Sequence, residues 1–196
     1  MTDSSPSTIP VLRGPVPLSH LLLHSFVRDG HSTVDATCGN GHDTLLLARL
    51  VGVHGHVWGF DVQRQAVEET GRRLAEADLS SRVTLLPVGH EELAKHVAVP
   101  LQVVLFNLGY LPGGDRGIIT RPVTTGIALE QSLGLLAAGG VVIVTVYPGH
   151  DGGSEERHAV EKWAAGLDPR AYSSWRMGQT NVTQAAPYLL LVQKGL

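Results

Sequence analysis

The sequence predicts an α/β fold, in which helices cover both faces of a mainly parallel β-sheet of about seven strands. The first observation is that short β-branched or apolar segments alternate with segments of helical length from about residue 33 onward. The second is that the chain has 196 residues, which suits one domain. The third is that two connections rich in Gly and Pro, residues 108–122 and 148–153, follow strands, where open α/β sheets bind ligands.

Each element follows from a local pattern. A dense apolar cluster at residues 18–26 predicts a short helix, and residues 1–17, rich in Ser, Thr and Pro, predict a flexible arm before a single domain over 18–196. Strands are predicted at 33–35, 56–61, 82–88, 101–107, 140–147 and 188–193, with a less regular segment at 171–177. Helices are predicted at 43–50, 63–77, 91–96, 124–136 and 154–167.

Composition excludes several classes of protein. The apolar stretches are far shorter than the ~20 residues that span a bilayer, and the first residues lack the basic and apolar regions of a signal peptide. We therefore predict a cytoplasmic protein that binds no membrane. Cys38 is the single cysteine, so an internal disulfide is impossible, and we predict no metal site. With 15 basic and 18 acidic residues, RNA can be bound only through a local patch.

A nucleotide-binding pattern appears at three strand ends. Gly39 and Gly41 lie in a turn between a strand and a helix, where glycine lets the backbone approach a ligand closely, although a purely structural turn also fits. Asp61 ends the second strand, where a carboxylate can accept hydrogen bonds from both ribose hydroxyls. Gly89 and His90 follow the third strand and would lie beside an adenine. Three strand ends in this order indicate a nucleoside cofactor.

Two cofactors compete for this pattern. In a dinucleotide site the helix N-terminus binds pyrophosphate, but here Asp43 would repel that group and Thr44 replaces the third small residue. Asp35 adds a second acid beside the loop, and two acids suit the ammonium and sulfonium groups of S-adenosylmethionine. We therefore favour S-adenosylmethionine over NAD.

Five separated strings carry a family resemblance: VDATCGNGHDT, GFDVQ, GHEEL, FNLGYLPGGD and VYPGH. In this order they resemble the bacterial rRNA methylase family, whose characterised members are tRNA 5-aminomethyl-2-thiouridine methyltransferases. The resemblance implies a Rossmann-like class I methyltransferase fold and methylation of the aminomethyl nitrogen of wobble uridine in tRNA. It also implies S-adenosylmethionine as the cofactor, a homodimer, and an anticodon region as the bound part of the RNA.

The resemblance assigns site residues by matching position. Cofactor contacts are implied for Asn40, His42, Asp61, Gln63, His90 and Asn107, and loop-shaping roles beside the cofactor for Asp35, Gly39, Gly41 and Gly89.

The segment beginning at Asn107 occupies the place of the Asn-Pro-Pro-Tyr motif of many amino-methylating enzymes, but it lacks both prolines. We therefore expect a flexible aliphatic amine as the acceptor rather than a planar amine of adenine or cytosine. Positioning and removal of the ammonium proton would then supply the catalysis, with Tyr110, Asp115 and His150 as the candidate catalytic residues. Tyr110 can instead stack on the uracil or pack at the sheet edge.

The RNA patch is predicted to include Arg116, Arg121, Arg157 and Arg176. Cys38 lies in the glycine loop rather than on the substrate side, which argues against methylation at C5 of a pyrimidine and favours packing of its small side chain. Three alternatives remain open at this stage: methylation of rRNA, N- or O-methylation of a small molecule, and a nucleotide-binding module without catalysis.

Overall fold

In the computed structural model, which describes residues 11–115 and 117–196, a seven-stranded sheet is covered by helices on both faces. The strands are β1 (Ser32–Asp35), β2 (His56–Phe60), β3 (Val83–Leu86), β4 (Leu101–Asn107), β5 (Leu136–Val146), β6 (Tyr172–Met177) and β7 (Tyr188–Lys194). The helices are α1 (Pro15–Phe26), α2 (His42–Leu50), α3 (Arg64–Glu76), α4 (Leu93–His96), α5 (Pro122–Leu135) and α6 (Gly153–Ala165). Two 3₁₀ turns, Ser80–Arg82 and His90–Glu92, precede β3 and α4.

The strand order is β3-β2-β1-β4-β5-β7-β6. The first five strands in this order pair in parallel, whereas β7 pairs antiparallel with both β5 and β6. The order reverses between β1 and β4. At such a switch point the two loops that leave the strands diverge and open a crevice at their carboxyl ends. The topology therefore places the ends of β1, β2, β4 and β5 around one site.

Successive side chains of the central strands point alternately into two hydrophobic cores, one on each face of the sheet. In β4, Val104 and Phe106 belong to a core that α4, α5 and α6 close, whereas Val103 and Leu105 belong to a core that α1, α2 and α3 close. All four side chains are fully buried. A strand with both faces covered has no polar face, which explains why this segment is one apolar run rather than an alternating one.

Two boundaries differ from the sequence-based prediction. Helix α1 begins at Pro15, so the last part of the predicted arm is helical, because the fixed φ of proline suits a first helical turn whose N–H groups have no partner. Strand β5 begins at Leu136, and its register with β4 shifts between the partners of Leu101 and Val103. Residues 1–10 of the predicted arm lie outside the described residues. Among the helices described, none is long and apolar enough to cross a membrane.

Candidate functional site

A cavity of about 1000 Å³ opens at the carboxyl ends of the parallel strands. Its volume lies at the upper end of the range for small-molecule sites, which is about 300–1,000 Å³, so it has room for a cofactor and part of a substrate. One wall is the glycine-loop side, drawn from residues 36–43, 61–63 and 89–91. The other wall is the long-loop side, drawn from residues 107–121, 147–150 and 185–187.

The loop between β1 and α2 is shaped by its two glycines. Gly39 and Gly41 have φ values of 49° and 79°, in the left-handed region that other residues rarely adopt. A Cβ on Gly41 would also lie 2.7 Å from Oγ1 of Thr70, which itself donates a hydrogen bond to the carbonyl oxygen of Gly39 at 2.8 Å. Gly39 lines the cavity, whereas Gly41 lies behind it against α3. This position fits the loop-shaping role that the resemblance implies for Gly41.

Asp35 ends β1 and is fully buried beneath the loop, so it does not line the cavity. Its Oδ2 accepts a 2.6 Å hydrogen bond from Oγ1 of Thr44, and its Oδ1 accepts one from the Thr37 N–H at 3.3 Å. Burial, and after it the charge of Asp43, raises the pKa of Asp35 to about 7. Both hydrogen bonds fit the loop-shaping role beside the cofactor that the resemblance implies for Asp35.

Asp61 lies just after β2 at the floor of the cavity. Its Oδ2 accepts a hydrogen bond from the Gly39 N–H at 3.0 Å, and its Oδ1 accepts one from the Gln63 N–H at 2.8 Å. Burial raises the pKa of this carboxyl, while the two N–H donors act in the opposite direction. A carboxylate has about four acceptor positions, so both oxygens keep room for further donors such as the hydroxyls of a ribose.

His90 is a buried histidine at the edge of the cavity, 7% exposed. Its Nδ1 lies 3.2 Å from the carbonyl oxygen of Ala36, which can only accept, so Nδ1 carries the proton and Nε2 is an acceptor. Within the described part of the chain, Nε2 is buried and has no hydrogen-bond partner. Burial lowers the pKa of His90, which keeps the ring neutral. Because an unpaired buried acceptor is costly, this atom suits the amino group of an adenine.

Asn107 ends β4, where the two walls meet. Its backbone N–H donates to Oγ1 of Thr37 at 2.8 Å, and its side-chain Nδ2 donates to Oδ2 of Asp43 at 2.7 Å. The other oxygen of Asp43 lies 2.7 Å from Nε2 of His20 in α1. That hydrogen bond raises the pKa of His20 despite its partial burial. The sequence placed Asn107 at the site but did not join it to His20 or assign Asp43 a partner.

The long-loop side carries Tyr110 and His150, whose rings meet edge to face with centroids 5.8 Å apart. Nδ1 of His150 lies 2.8 Å from the carbonyl oxygen of Asp151, so Nδ1 donates and Nε2 keeps its lone pair. Among the residues described, Nε2 has no hydrogen-bond partner although it is buried. A Cβ on Gly109 would lie 3.2 Å from this atom, so glycine there leaves space for the ring.

A buried carboxylate anchors the long loop from below. Glu156, 2% exposed in α6, accepts hydrogen bonds from Oγ1 of Thr120 at 2.6 Å and from Oγ1 of Thr125 at 2.7 Å. Thr120 Oγ1 also accepts a bond from the Gly109 N–H at 2.7 Å, which closes the loop on itself. The sequence alone gives no reason to place these residues at the site, because nothing in their spacing joins a helix to a loop more than thirty positions away.

Five of the other predicted site residues line the cavity. Asn40, His42, Gln63 and Gly89 line the cavity, as does Arg121. Asn40 also joins the two walls, since its Nδ2 donates to the carbonyl oxygen of Pro112 at 3.1 Å.

Three of the predicted residues lie away from the cavity lining. Asp115 accepts a hydrogen bond from the Gly117 N–H at 2.8 Å and stabilises the turn of the long loop. Arg157 and Arg176 lie within 3.9 Å and 3.4 Å of Glu161, on α6 and the outer strands, away from the cavity. The pairing of both arginines with the carboxylate of Glu161 explains the position of their side chains without a contact to RNA. Arg116 lies outside the described residues.

Cys38 is buried, and burial raises the pKa of its thiol. A protonated thiol is a poor nucleophile, which agrees with the prediction that Cys38 packs in the loop rather than attacking a pyrimidine.

The chain is similar in sequence and structure to several known proteins. A protein 38% identical over 160 residues is the tRNA (mnm(5)s(2)U34)-methyltransferase, chloroplastic, of Arabidopsis thaliana. That match covers 76% of this chain, and the chain spans 58% of the length of the Arabidopsis protein.

Two solved structures match almost all of this chain. A protein from Clostridium thermocellum, described as a "putative rRNA-methylase", is 41% identical with a TM-score of 0.91, and the match covers 94% of this chain and 99% of that chain. A protein from Streptococcus mutans, described as a "putative methyltransferase" and solved in complex with SAH, is 33% identical with a TM-score of 0.85, and the match covers 94% of this chain and 99% of that chain. The observed strand order and these structural matches confirm the Rossmann-like class I methyltransferase fold that the sequence predicted.

A family model described as "Putative rRNA methylase" matches residues 57–193, from the second strand to the last. The matched region contains Asp61, His90, Asn107, Tyr110 and His150. The glycine loop precedes it and completes the cavity. The chain therefore belongs to this rRNA methylase family.

Proposed function

We propose that this chain is an S-adenosylmethionine-dependent methyltransferase that acts on the aminomethyl nitrogen of wobble uridine in tRNA. The observation that carries the proposal is the convergence of the glycine loop, Asp61 and the unpaired Nε2 of His90 on one cavity. The choice of wobble uridine is supported by the named activity of the Arabidopsis relative.

The residues present fit the cofactor. Asp61 offers acceptor positions to ribose hydroxyls, and Nε2 of His90 offers one to the adenine amino group. Asn40, His42 and Gln63 line the same wall, where they would hold the rest of the molecule. When bound, S-adenosylmethionine supplies a methyl group on a positively charged sulfur. The carboxylate of Asp43, which lines the cavity, gives this wall the negative charge that such a cation requires.

On the long-loop side, two residues act on the substrate. Tyr110 lines the cavity and is 39% exposed, so its ring offers a surface on which a uracil can stack. Nε2 of His150 has a free lone pair and accepts the proton that an aliphatic ammonium must lose before its nitrogen can react. Asp115, the third candidate, lies outside the cavity lining and accepts a hydrogen bond from the Gly117 N–H, so we assign the proton acceptor to His150.

RNA binds, in this proposal, through a small patch at the mouth of the cavity. Arg121 is exposed and lines the mouth, where a phosphate of the anticodon region would meet it. Arg157 and Arg176 contribute less, since both pair with Glu161. A homodimer would widen this patch, and it stays a prediction together with the cytoplasmic location.

The experiment that tests the proposal is nucleoside mass spectrometry of tRNA from cells with and without the gene, combined with calorimetry of S-adenosylhomocysteine binding. We expect the methylated aminomethyl nucleoside to disappear and its unmethylated precursor to accumulate in the deletion strain. An unchanged tRNA profile with intact cofactor binding would redirect the assignment to rRNA or to a small molecule. Absence of cofactor binding would indicate a module without methyl transfer.

A further inference from the structure

The tip of the long loop, residues 111–114, reaches across the cavity to the opposite wall. The tip has the sequence Leu-Pro-Gly-Gly, and its first two residues, Leu111 and Pro112, line the cavity together with Gly39 and Asn40 of the glycine loop. Leu111 is half-buried, whereas the other three residues of the tip are exposed. The side chain of Leu111 is therefore the part of the tip that packs against the rest of the protein.

Leu111 lies directly over Gly39. Its Cδ1 is 3.0 Å from the position that a Cβ on Gly39 would take, which is closer than an ordinary van der Waals contact. On its other side, Leu111 lies against Gly114 of its own loop, where a Cβ would be 3.0 Å from Cδ2 of the leucine. The leucine side chain is thus held between one glycine of each wall, and a side chain at either position would displace it.

Few interactions hold the tip on the opposite wall. Within the described part of the chain, one hydrogen bond joins the tip to that wall, from Nδ2 of Asn40 to the carbonyl oxygen of Pro112 at 3.1 Å. A further hydrogen bond, from the Gly114 N–H to the carbonyl oxygen of Leu111 at 2.9 Å, is internal to the tip. One neutral hydrogen bond and one apolar contact are weak enough to break and form again as loops move.

The neck of the long loop, in contrast, is fixed. The Gly109 N–H donates to Oγ1 of Thr120 at 2.7 Å, and the Thr120 N–H donates to the carbonyl oxygen of Gly109 at 2.9 Å. In the tip, Gly113 has a φ of 82°, and a Cβ there would meet nothing within 4 Å, so the tip turns in open space. A fixed neck with a weakly held tip allows the tip to lift while the rest of the loop keeps its place.

We propose that Leu111 gates the cavity: the tip rests on Gly39 in the free protein and lifts for S-adenosylmethionine to enter or leave. The inference rests on the cofactor of the proposed function, and it gives the long-loop side a role in cofactor exchange. Once the cofactor is bound, the same contact between Leu111 and Gly39 closes the cavity and slows release of the cofactor.

Binding rates test the gate. In Leu111→Ala the tip loses its apolar contact with Gly39 and spends more time lifted. We expect the association and dissociation rate constants of S-adenosylhomocysteine, measured by surface plasmon resonance on immobilised protein, both to rise about 10-fold, as loss of most of a leucine contact allows. The dissociation constant should change less than about 3-fold, because entry and release pass through the same lifted state.

A second variant removes the hydrogen bond. Asn40→Ala takes away the donor to Pro112, so the association rate constant should rise about 3-fold, the effect of one neutral hydrogen bond. The dissociation rate constant should rise more than that, because Asn40 also lines the cofactor wall. Val123→Ala is the matched control, since this valine is 74% exposed at the start of α5 and lies away from the cavity lining. Both rate constants of the control should equal those of the wild type.

The direction of the association rate distinguishes a gate from other roles of Leu111. A leucine that only contacts the bound cofactor would leave association unchanged in Leu111→Ala and raise the dissociation rate alone. A leucine needed only for the shape of the loop would lower the association rate, since a distorted site binds less readily. Either result would overturn the inference.

A readout on the free protein separates the gate from the proposed function. A nuclear Overhauser effect between the δ-methyl protons of Leu111 and the Hα protons of Gly39 should appear without any ligand, because the two groups are in contact. Its absence would show that the free protein is not closed and would refute the gate. If the wild type binds S-adenosylhomocysteine but leaves tRNA unmethylated, the proposed substrate fails while the binding rates still report on the gate.

Discussion

The two walls of the cavity are built differently. The glycine-loop side consists of short connections that follow β1, β2 and β3, held by contacts between a carboxylate and backbone N–H groups, as at Asp61. The long-loop side consists mainly of one extended segment, residues 107–121, which is held through side chains with Glu156 and Thr120 as its anchors. One wall is therefore determined by backbone geometry and the other by a few side-chain hydrogen bonds.

This difference corresponds to what each wall binds in the proposed function. A nucleoside cofactor has a fixed shape, and a wall of preformed N–H groups and carboxylates can match it without adjustment. An RNA substrate brings a base on a large, flexible polymer, and a loop with exposed side chains such as Tyr110 and Ile118 can adapt to it. Substitutions should accordingly separate cofactor binding from RNA methylation according to the wall that they alter.

The largest effect is expected from Asp61→Ala on the glycine-loop side. The variant removes the acceptor of two backbone N–H groups and of the ribose, at about 1.5–3 kcal/mol for each hydrogen bond to a charged group. We expect the dissociation constant of S-adenosylhomocysteine to rise at least about 100-fold by calorimetry. Asp61→Asn keeps one acceptor oxygen and should lose less. A wild-type affinity in Asp61→Ala would show that the loop keeps its shape without the carboxylate.

Asp35→Asn should change how the stability of the protein depends on pH. The pKa of Asp35 is about 7 in the folded protein against an ordinary value of 3.8, so the folded state holds a proton that the unfolded state has lost. This contribution is complete below about pH 4 and disappears as the pH rises through about 7, a change of up to about 4 kcal/mol. Unfolding in denaturant at stepped pH should therefore give a flatter profile for Asp35→Asn than for wild type.

Asp78→Asn, on the surface, is the control for this measurement and should run parallel to wild type. Parallel profiles for wild type and Asp35→Asn would contradict the raised pKa.

Glu156→Gln tests the long-loop side. The glutamine keeps one acceptor oxygen for two threonine hydroxyls, so the long loop loses one of its anchors. We expect methylation of tRNA to fall about 10-fold, the effect of one hydrogen bond, while cofactor affinity is unchanged. Glu155→Gln, at the exposed neighbouring position, should behave as wild type. An equal loss of cofactor affinity in Glu156→Gln would show that the two walls are not independent.

The smallest effect is expected from Arg121→Ala, which removes one exposed cation at the mouth of the cavity. We expect tRNA affinity to fall and the slope of log K against log salt to decrease by about 1, as for one lost phosphate contact. Arg176→Ala is the matched control, since this arginine pairs with Glu161 away from the cavity. Equal changes in both variants would place the RNA across the outer strands as well.

The fold could be predicted from the sequence because its signals are local. Alternating strand and helix segments required a mainly parallel sheet, and the glycines with Asp61 and His90 marked the strand ends that form one wall. The start of α1 was missed although proline in a first helical turn is a local signal, whereas the start of β5 was missed because a register shift depends on the neighbouring strand.

The sequence by itself determined which residue types stand at the strand ends, since glycine conformation and strand periodicity depend on adjacent positions. Only the tertiary structure decided which of them face the cavity. Gly41 lies behind the loop because it packs against α3. Asp35 lies behind it because its carboxyl group is buried against the hydroxyl of Thr44, which donates a hydrogen bond to it. His20 and Glu156 belong to the site because the packing of their helices brings one polar side chain from each helix within hydrogen-bond distance of a site residue. No spacing in the sequence encodes such contacts.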